Sequence, residues 1–120
     1  MQETECVILN GEQVDIDKRF VNLILLLNTK GYITHDCCSG HYYKNVQNIK
    51  RYAYIGFYEK YLPPNFPKFV DSIDKYGDEF VGVYFNLPNN PSIEYLDCLA
   101  NNILQWVIEL PYNNLYLENK

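Results

Sequence analysis

Between Cys37 and Tyr58 the chain has no Asp and no Glu, although its formal net charge is -5. Lys44, Lys50 and Arg51 fall within that stretch, and such a basic segment in an acidic protein points to an anionic ligand. The chain lacks the broad basic character that general nucleic-acid binding requires. It also lacks a long apolar run: Leu23 to Leu27 is far too short to cross a bilayer. Met1-Gln2-Glu3-Thr4-Glu5 is acidic and leads into no apolar stretch, so no signal peptide is expected, and the chain is expected to be cytoplasmic. There is no C-x-x-C pair. Cys6, Cys37, Cys38 and Cys98 make an awkward disulfide framework, and reduced thiols are the expectation. No internal repeat, low-complexity segment or paired carboxylates for acid/base work is evident.

Tyrosine is abundant, with twelve residues alongside six Phe in 120 positions. Its flat face and hydroxyl suit base-stacking pockets and interfaces, and equally the strands of an ordinary sheet. The length fits one domain, residues 1–120, with a single core. Cys6 to Leu9 reads as a strand, and Asn10-Gly11 as a turn returning Glu12 to Val14 beside it. Asp15 is placed to cap a helix over residues 16–29, with Ile16, Phe20, Leu23, Ile24 and Leu27 at helical spacing and a stop at Gly31. Tyr32 to Cys38 alternates as a strand, Ile33, His35 and Cys37 on one side. Arg51 to Tyr58 forms its antiparallel partner, with Tyr52, Tyr54, Gly56 and Tyr58 on one face. Pro67 opens a predicted helix through Phe69, Val70, Ile73 and Tyr76 to Gly77. Residues 79–87 form a strand, and residues 93–110 a long helix capped at Ser92, with Leu99 and Trp106 outside its apolar stripe. The tail from Asn113 is expected to add an edge strand or to fray. The fold class is therefore α+β, a ferredoxin-like split β-α-β sheet (β-α-β-β-α-β) with an additional long C-terminal helix.

The stretch Thr34-His35-Asp36-Cys37-Cys38-Ser39-Gly40-His41 carries the chemistry. A turn at Ser39-Gly40 aims backbone N–H groups into one concavity, and Ser39 and His41 add side-chain donors, forming an anion nest. Lys44, Lys50 and Arg51 close it, Arg51 as a bidentate phosphate contact. Tyr42, Tyr43, Tyr52 and Tyr54 are placed to stack on a base. The bland alternative is a simple turn, solvated lysines and tyrosines that cover the sheet. His35, Cys37, Cys38 and His41 are ligand types for zinc, but strand alternation divides them, and no metal or other cofactor is expected. Cys37 or Cys38 with His41 also has the elements of an activated thiolate, against the commoner role of cysteine as a small buried apolar residue.

The residues Leu27-Asn28, Gly31-Tyr32, Thr34 and Cys37-Cys38-Ser39-Gly40-His41, followed by Tyr54-Ile55 and Phe57, resemble a group of small proteins from low-GC Gram-positive bacteria and their phages. Their shared pattern has the form LNxxGYxTxxCCSGH…YIxF, and the group supplies no established activity. Cys38-Ser39-Gly40 is also similar to the SSCSGR motif of the tRNA wybutosine-synthesising methyltransferase-like family. His41 stands in place of that family's Arg and the chain is much shorter, so this likeness implies a loop suited to a nucleotide-like ligand and not methyl transfer. The phage resemblance implies a bacterial host cytoplasm.

Three functional classes remain open. The first is a non-enzymatic binding protein, phage- or prophage-encoded, that sequesters an anionic nucleotide-like small molecule, such as a nucleotide-derived immune signal, to counter host defence. The second is a nucleotide- or RNA-directed enzyme using His41 with Cys37 or Cys38. The third is an acidic inhibitor of a basic host nucleic-acid-binding effector. A homodimer or higher oligomer is expected, because an exposed sheet face and outward-facing Leu99 and Trp106 invite pairing.

Overall fold

In the computed structural model, which describes residues 4–40 and 52–114, Asn10 (φ 53°) and Gly11 (φ 84°) both take left-handed conformations. Two successive positive φ values make the tight turn whose twist matches an antiparallel pair. It joins strand β1 (Thr4–Leu9) to strand β2 (Glu12–Asp17), with Leu9 opposite Glu12 and Thr4 opposite Asp17. The helix expected over residues 16–29 therefore starts later. Val14 and Ile16 alternate with Asp15 and Asp17, and this period of two wins because β1 is already alongside to pair with. A 3-10 turn at Lys18–Phe20 leads into helix α1 (Val21–Thr29), which buries Val21, Leu23, Ile24, Leu27 and Asn28. Gly31, at φ 94°, ends it as its position predicts.

Strands β3 (Thr34–Cys38), β4 (Tyr52–Tyr58), β5 (Ser72–Tyr76) and β6 (Phe80–Asn86) form a second antiparallel sheet in the order β3-β4-β6-β5. Ala53, Ile55 and Phe57 of β4, with Val83 and Phe85 of β6, turn one face inward against α1 and the long C-terminal helix α2 (Ile93–Glu109). The helix expected from Pro67 to Tyr76 is not formed. Ile73 pairs with Val83 and Tyr76 with Phe80, and Gly77 (φ 60°) belongs to the hairpin loop between them rather than to a helix end. A left-handed glycine serves either purpose, so its presence did not distinguish the two. With that helix replaced by a strand, the ferredoxin-like order is not observed. Among the described residues the architecture is mixed α+β: six strands in two antiparallel sheets, and two helices.

Ser92 caps α2, its hydroxyl accepting the Tyr95 N–H at 3.0 Å. The other end is closed by a buried cation: Lys30 Nζ donates to the carbonyls of Val107 (2.9 Å), Ile108 (2.8 Å) and Leu110 (2.5 Å). Trp106, expected to face outward, is buried. Its Nε1 donates to the Asn65 carbonyl at 3.2 Å and its ring lies beside Phe66, so the proline-rich connection 62–67 covers it. The tail expectation beyond Asn114 lies outside the described residues, although Asn113 is tied to the carbonyls of Lys30 and Gly31. No helix among the described residues is long and apolar enough to cross a membrane.

Candidate functional site on the outer sheet face

The face of the four-stranded sheet turned away from the helices is built from aromatic side chains around a polar centre. Its cross-strand rows are set by the register. One row runs Cys38, Tyr54, Tyr84, Ser72; the next runs Asp36, Gly56, Gly82, Asp74; the third pairs Tyr58 with Phe80 and Phe80 with Tyr76. Tyr52 lies at the end of the face beside Tyr84. The register slips between Thr34 and Asp36, so His35 joins Asp36 on this face instead of sharing the opposite side with Cys37, as strict alternation predicted.

Two ring clusters result. Tyr52, Tyr54 and Tyr84 meet with ring centroids 5.3–6.0 Å apart. Phe80 stacks on His35 at 3.9 Å and meets Tyr58 at 5.2 Å and Tyr76 at 5.5 Å. Between the clusters lies the Asp36 carboxylate. Tyr76 Oη donates to its Oδ1 at 2.7 Å and Tyr54 Oη to its Oδ2 at 2.9 Å, while His35 Nδ1 lies 3.3 Å from both Oδ1 and the Tyr76 hydroxyl. The paired glycines Gly56 and Gly82 make this close approach feasible. A Cβ on Gly56 would fall 2.1 Å from Asp36 Oδ1 and 2.3 Å from Tyr76 Oη, and one on Gly82 would fall 2.6 Å from Tyr84 Oη. Burial, reinforced by the hydrogen bond to Asp36 and its charge, pushes the Tyr54 and Tyr76 hydroxyls well above the ordinary phenol range. Both are proton donors at neutral pH, as an ordinary phenol is, and the shift extends that role into the alkaline range. Beside Tyr52 and Tyr84 opens a hollow of about 200 Å³, also lined by Ser72, Asp74 and Asn86.

Of the residues expected to bind ligand, Tyr52 and Tyr54 lie on this face, half-buried. His41, Tyr42, Tyr43, Lys44, Lys50 and Arg51 lie outside the described residues. Ser39 and Gly40 are described, and both are buried. The Ser39 N–H donates to Asp17 Oδ2 at 2.7 Å, so the chain's own carboxylate sits where the anion-nest expectation placed a phosphate. Gly40, at φ 90°, packs against α2 and the strand-end leucine: a Cβ there would fall 2.7 Å from Leu87 Cδ1 and 3.1 Å from Leu96 Cδ2.

Among the described residues, the surroundings of both adjacent cysteines disfavour a thiolate. Burial, then the Asp17 charge, pushes the Cys37 thiol up to about 12. Burial also raises Cys38, against an opposing hydrogen bond from the Gly40 backbone. All four cysteines are free of disulfides. Among the described residues no group of three or more His, Cys, Asp or Glu side chains could hold a metal ion.

From the sequence, His35 stands only as a zinc-ligand type and Asp36 has no ligand-binding role, and Tyr76 and Tyr84 are not singled out as site residues. The alternation in residues 79–87 places Tyr84 on the face opposite Val83 and was sufficient to find it; the bulge at His35 leaves no comparable trace. No family model matches the chain, and no curated protein or solved structure matches it either.

Proposed function

We propose that the protein is a non-enzymatic binding protein that takes up a nucleotide-like anionic small molecule, with the ligand's ring laid on the outer sheet face. The observation that carries this reading is the half-buried cluster of Tyr52, Tyr54 and Tyr84 beside an open hollow, on a sheet whose other face is fully occupied by the core. A purine or pyrimidine offers such a surface a π-face whatever its sequence context, and each stacking contact contributes about 1–3 kcal/mol. Lys44, Lys50 and Arg51 precede Tyr52 in the chain and keep the phosphate role read from the sequence. The counter-defence role stays attached to the resemblance to phage proteins, and the raised thiols of Cys37 and Cys38 weigh against the enzymatic alternative.

Isothermal titration of the full chain with AMP, GMP, CMP and UMP tests this. At least one nucleotide is expected to bind, and Tyr84→Ala is expected to weaken that binding by about 1–3 kcal/mol, the contribution of one stacked ring. Binding that is absent for all four, or unchanged in Tyr84→Ala while the fold persists, overturns the reading.

A further inference from the structure

The polar centre of the face carries an inference beyond generic stacking, and it rests on the nucleotide-binding reading. We infer that the Asp36 carboxylate reads the N–H edge of a guanine-type base laid across the tyrosines. A carboxylate is an acceptor only, with about four lone-pair sites shared between its two oxygens. Tyr76 occupies one site on Oδ1 and Tyr54 one on Oδ2; Oδ2 keeps a second site open, and the second site on Oδ1 is contested only by His35 Nδ1 at 3.3 Å. The longer 3.3 Å approach of His35 Nδ1 to Oδ1 is shared with the Tyr76 hydroxyl. The Asp36 side chain is 40% exposed, so its remaining acceptor sites are accessible from solvent.

Two acceptors held side by side match two adjacent donors. Guanine has that edge in N1–H and the 2-amino group. Adenine presents a lone pair at N1, cytosine a lone pair at N3, and uracil a single N–H between two carbonyls, so each sets an acceptor against the carboxylate or leaves one of its oxygens unpaired. Asp36 is held rigidly enough to discriminate: two tyrosine hydroxyls anchor it, and the Gly56 backbone lies beneath it with no side chain to displace it. Among the described residues, the outward positions of the four strands carry Asp36 and Asp74 and no Lys or Arg. This face therefore repels phosphate and favours an electropositive donor edge, so the ligand approaches Asp36 base-first.

Calorimetry on the full chain with GMP, IMP and AMP tests the assignment. IMP is GMP without the 2-amino group, and AMP reverses the donor pattern at position 1. Wild-type protein is expected to bind GMP at least about tenfold tighter than AMP, with IMP between them, as for a site whose polar group is otherwise left unpaired. Asp36→Asn is expected to bring GMP down to the AMP level with AMP itself little changed. Gly56→Ala is expected to do the same without removing the charge, because its methyl displaces the carboxylate and the Tyr76 hydroxyl. Equal affinity for GMP and AMP in the wild type overturns the role of Asp36 while leaving the nucleotide-binding face intact. A GMP preference that persists in a folded Asp36→Asn also overturns it. Failure of every nucleotide to bind overturns both this inference and the reading on which it rests. If Asp36→Asn does not fold, the GMP-to-IMP ratio of the wild type decides alone: a clear preference supports the assignment and parity overturns it.

Discussion

Lys30→Met is the perturbation that most directly tests how the two helices are held together. Lys30 is 6% exposed, and its ammonium donates to three carbonyls at the end of α2 while lying 5.5 Å from the Tyr112 ring centroid. Methionine retains most of the stem's packing and removes all three donors. The Val107 carbonyl keeps a partner, because the Leu110 N–H reaches it at 3.2 Å; the carbonyls of Ile108 and Leu110 lose theirs to Lys30. An acceptor stranded in this way costs about 1–3 kcal/mol. The lower half of that range applies to the part-buried Ile108 carbonyl, and the full range to the buried Leu110 carbonyl. Loss of a cation from a helix C-terminus adds about 0.3–1 kcal/mol. Removing the ammonium also relieves the cost of keeping a charge out of water, which offsets part of the loss. The expected net destabilisation is about 2–4 kcal/mol, combining these contributions. For a chain of this size that lowers Tm by about 8–16 °C. Urea unfolding followed by far-ultraviolet circular dichroism measures the difference, with exposed Lys68→Met as a control expected within about 0.5 kcal/mol of wild type. A Lys30→Met protein as stable as that control would show that Lys30 does not cap α2.

Gly40→Ala combines a left-handed backbone with a methyl 2.7 Å from Leu87 Cδ1, so a loss of about 2–4 kcal/mol is expected in the same unfolding assay; wild-type stability would mean that the turn has room to spare. Alkaline pH should also weaken the fold. Cys37 holds its proton up to about 12 in the folded state, and Tyr54 and Tyr76 are raised as well, so these groups stabilise the protein fully below their unfolded values. The unfolded chain releases protons first as pH rises through about 9, and the stability is lost progressively toward pH 12. The urea midpoint should therefore fall between about pH 8 and about pH 10.5, and an unchanged midpoint would refute the raised values.

Much of the recognisable pattern in the first half of the chain proves to be architecture. Asn28 Nδ2 donates to the Ile24 carbonyl and to Thr34 Oγ1, its Oδ1 accepts the Thr34 N–H, and Tyr32 Oη donates to the Pro111 carbonyl. Leu27 is fully buried and Gly31 makes the left-handed stop. The elements whose signals are local were legible: the Asn10-Gly11 hairpin, the end of α1, the Ser92 cap and the antiparallel pairing of β3 with β4. Where two periods compete, the tertiary partner decides. Ile16 and Ile73 each fit a helical spacing, yet each found a neighbouring strand already positioned to pair with it. The tyrosine face was legible on β4 from alternation alone. Its polar centre was not, because it joins Asp36 of β3 to Tyr76 of β5 over two intervening strands, and nothing in the spacing of residues 36 and 76 announces that meeting.

That meeting also resolves a conflict of charge. A chain with formal net charge -5 is a poor general receptor for phosphate, and the Ser39 N–H of the anion nest foreseen at Ser39-Gly40 already donates to Asp17. A part-buried N–H and carboxylate that satisfy each other are held in place by the cost of separating them, so a free phosphate would have to displace a covalently tethered competitor. The outer face is different. Its carboxylate is exposed and its hydroxyl partners leave acceptor sites unused, while the surrounding rings supply contact area at little entropic cost. A ligand that meets the protein with its ring and donor edge gains on this face what a ligand led by its phosphate would lose. On the proposed reading, therefore, the base rather than the charge is the part of a nucleotide that this sheet recognises.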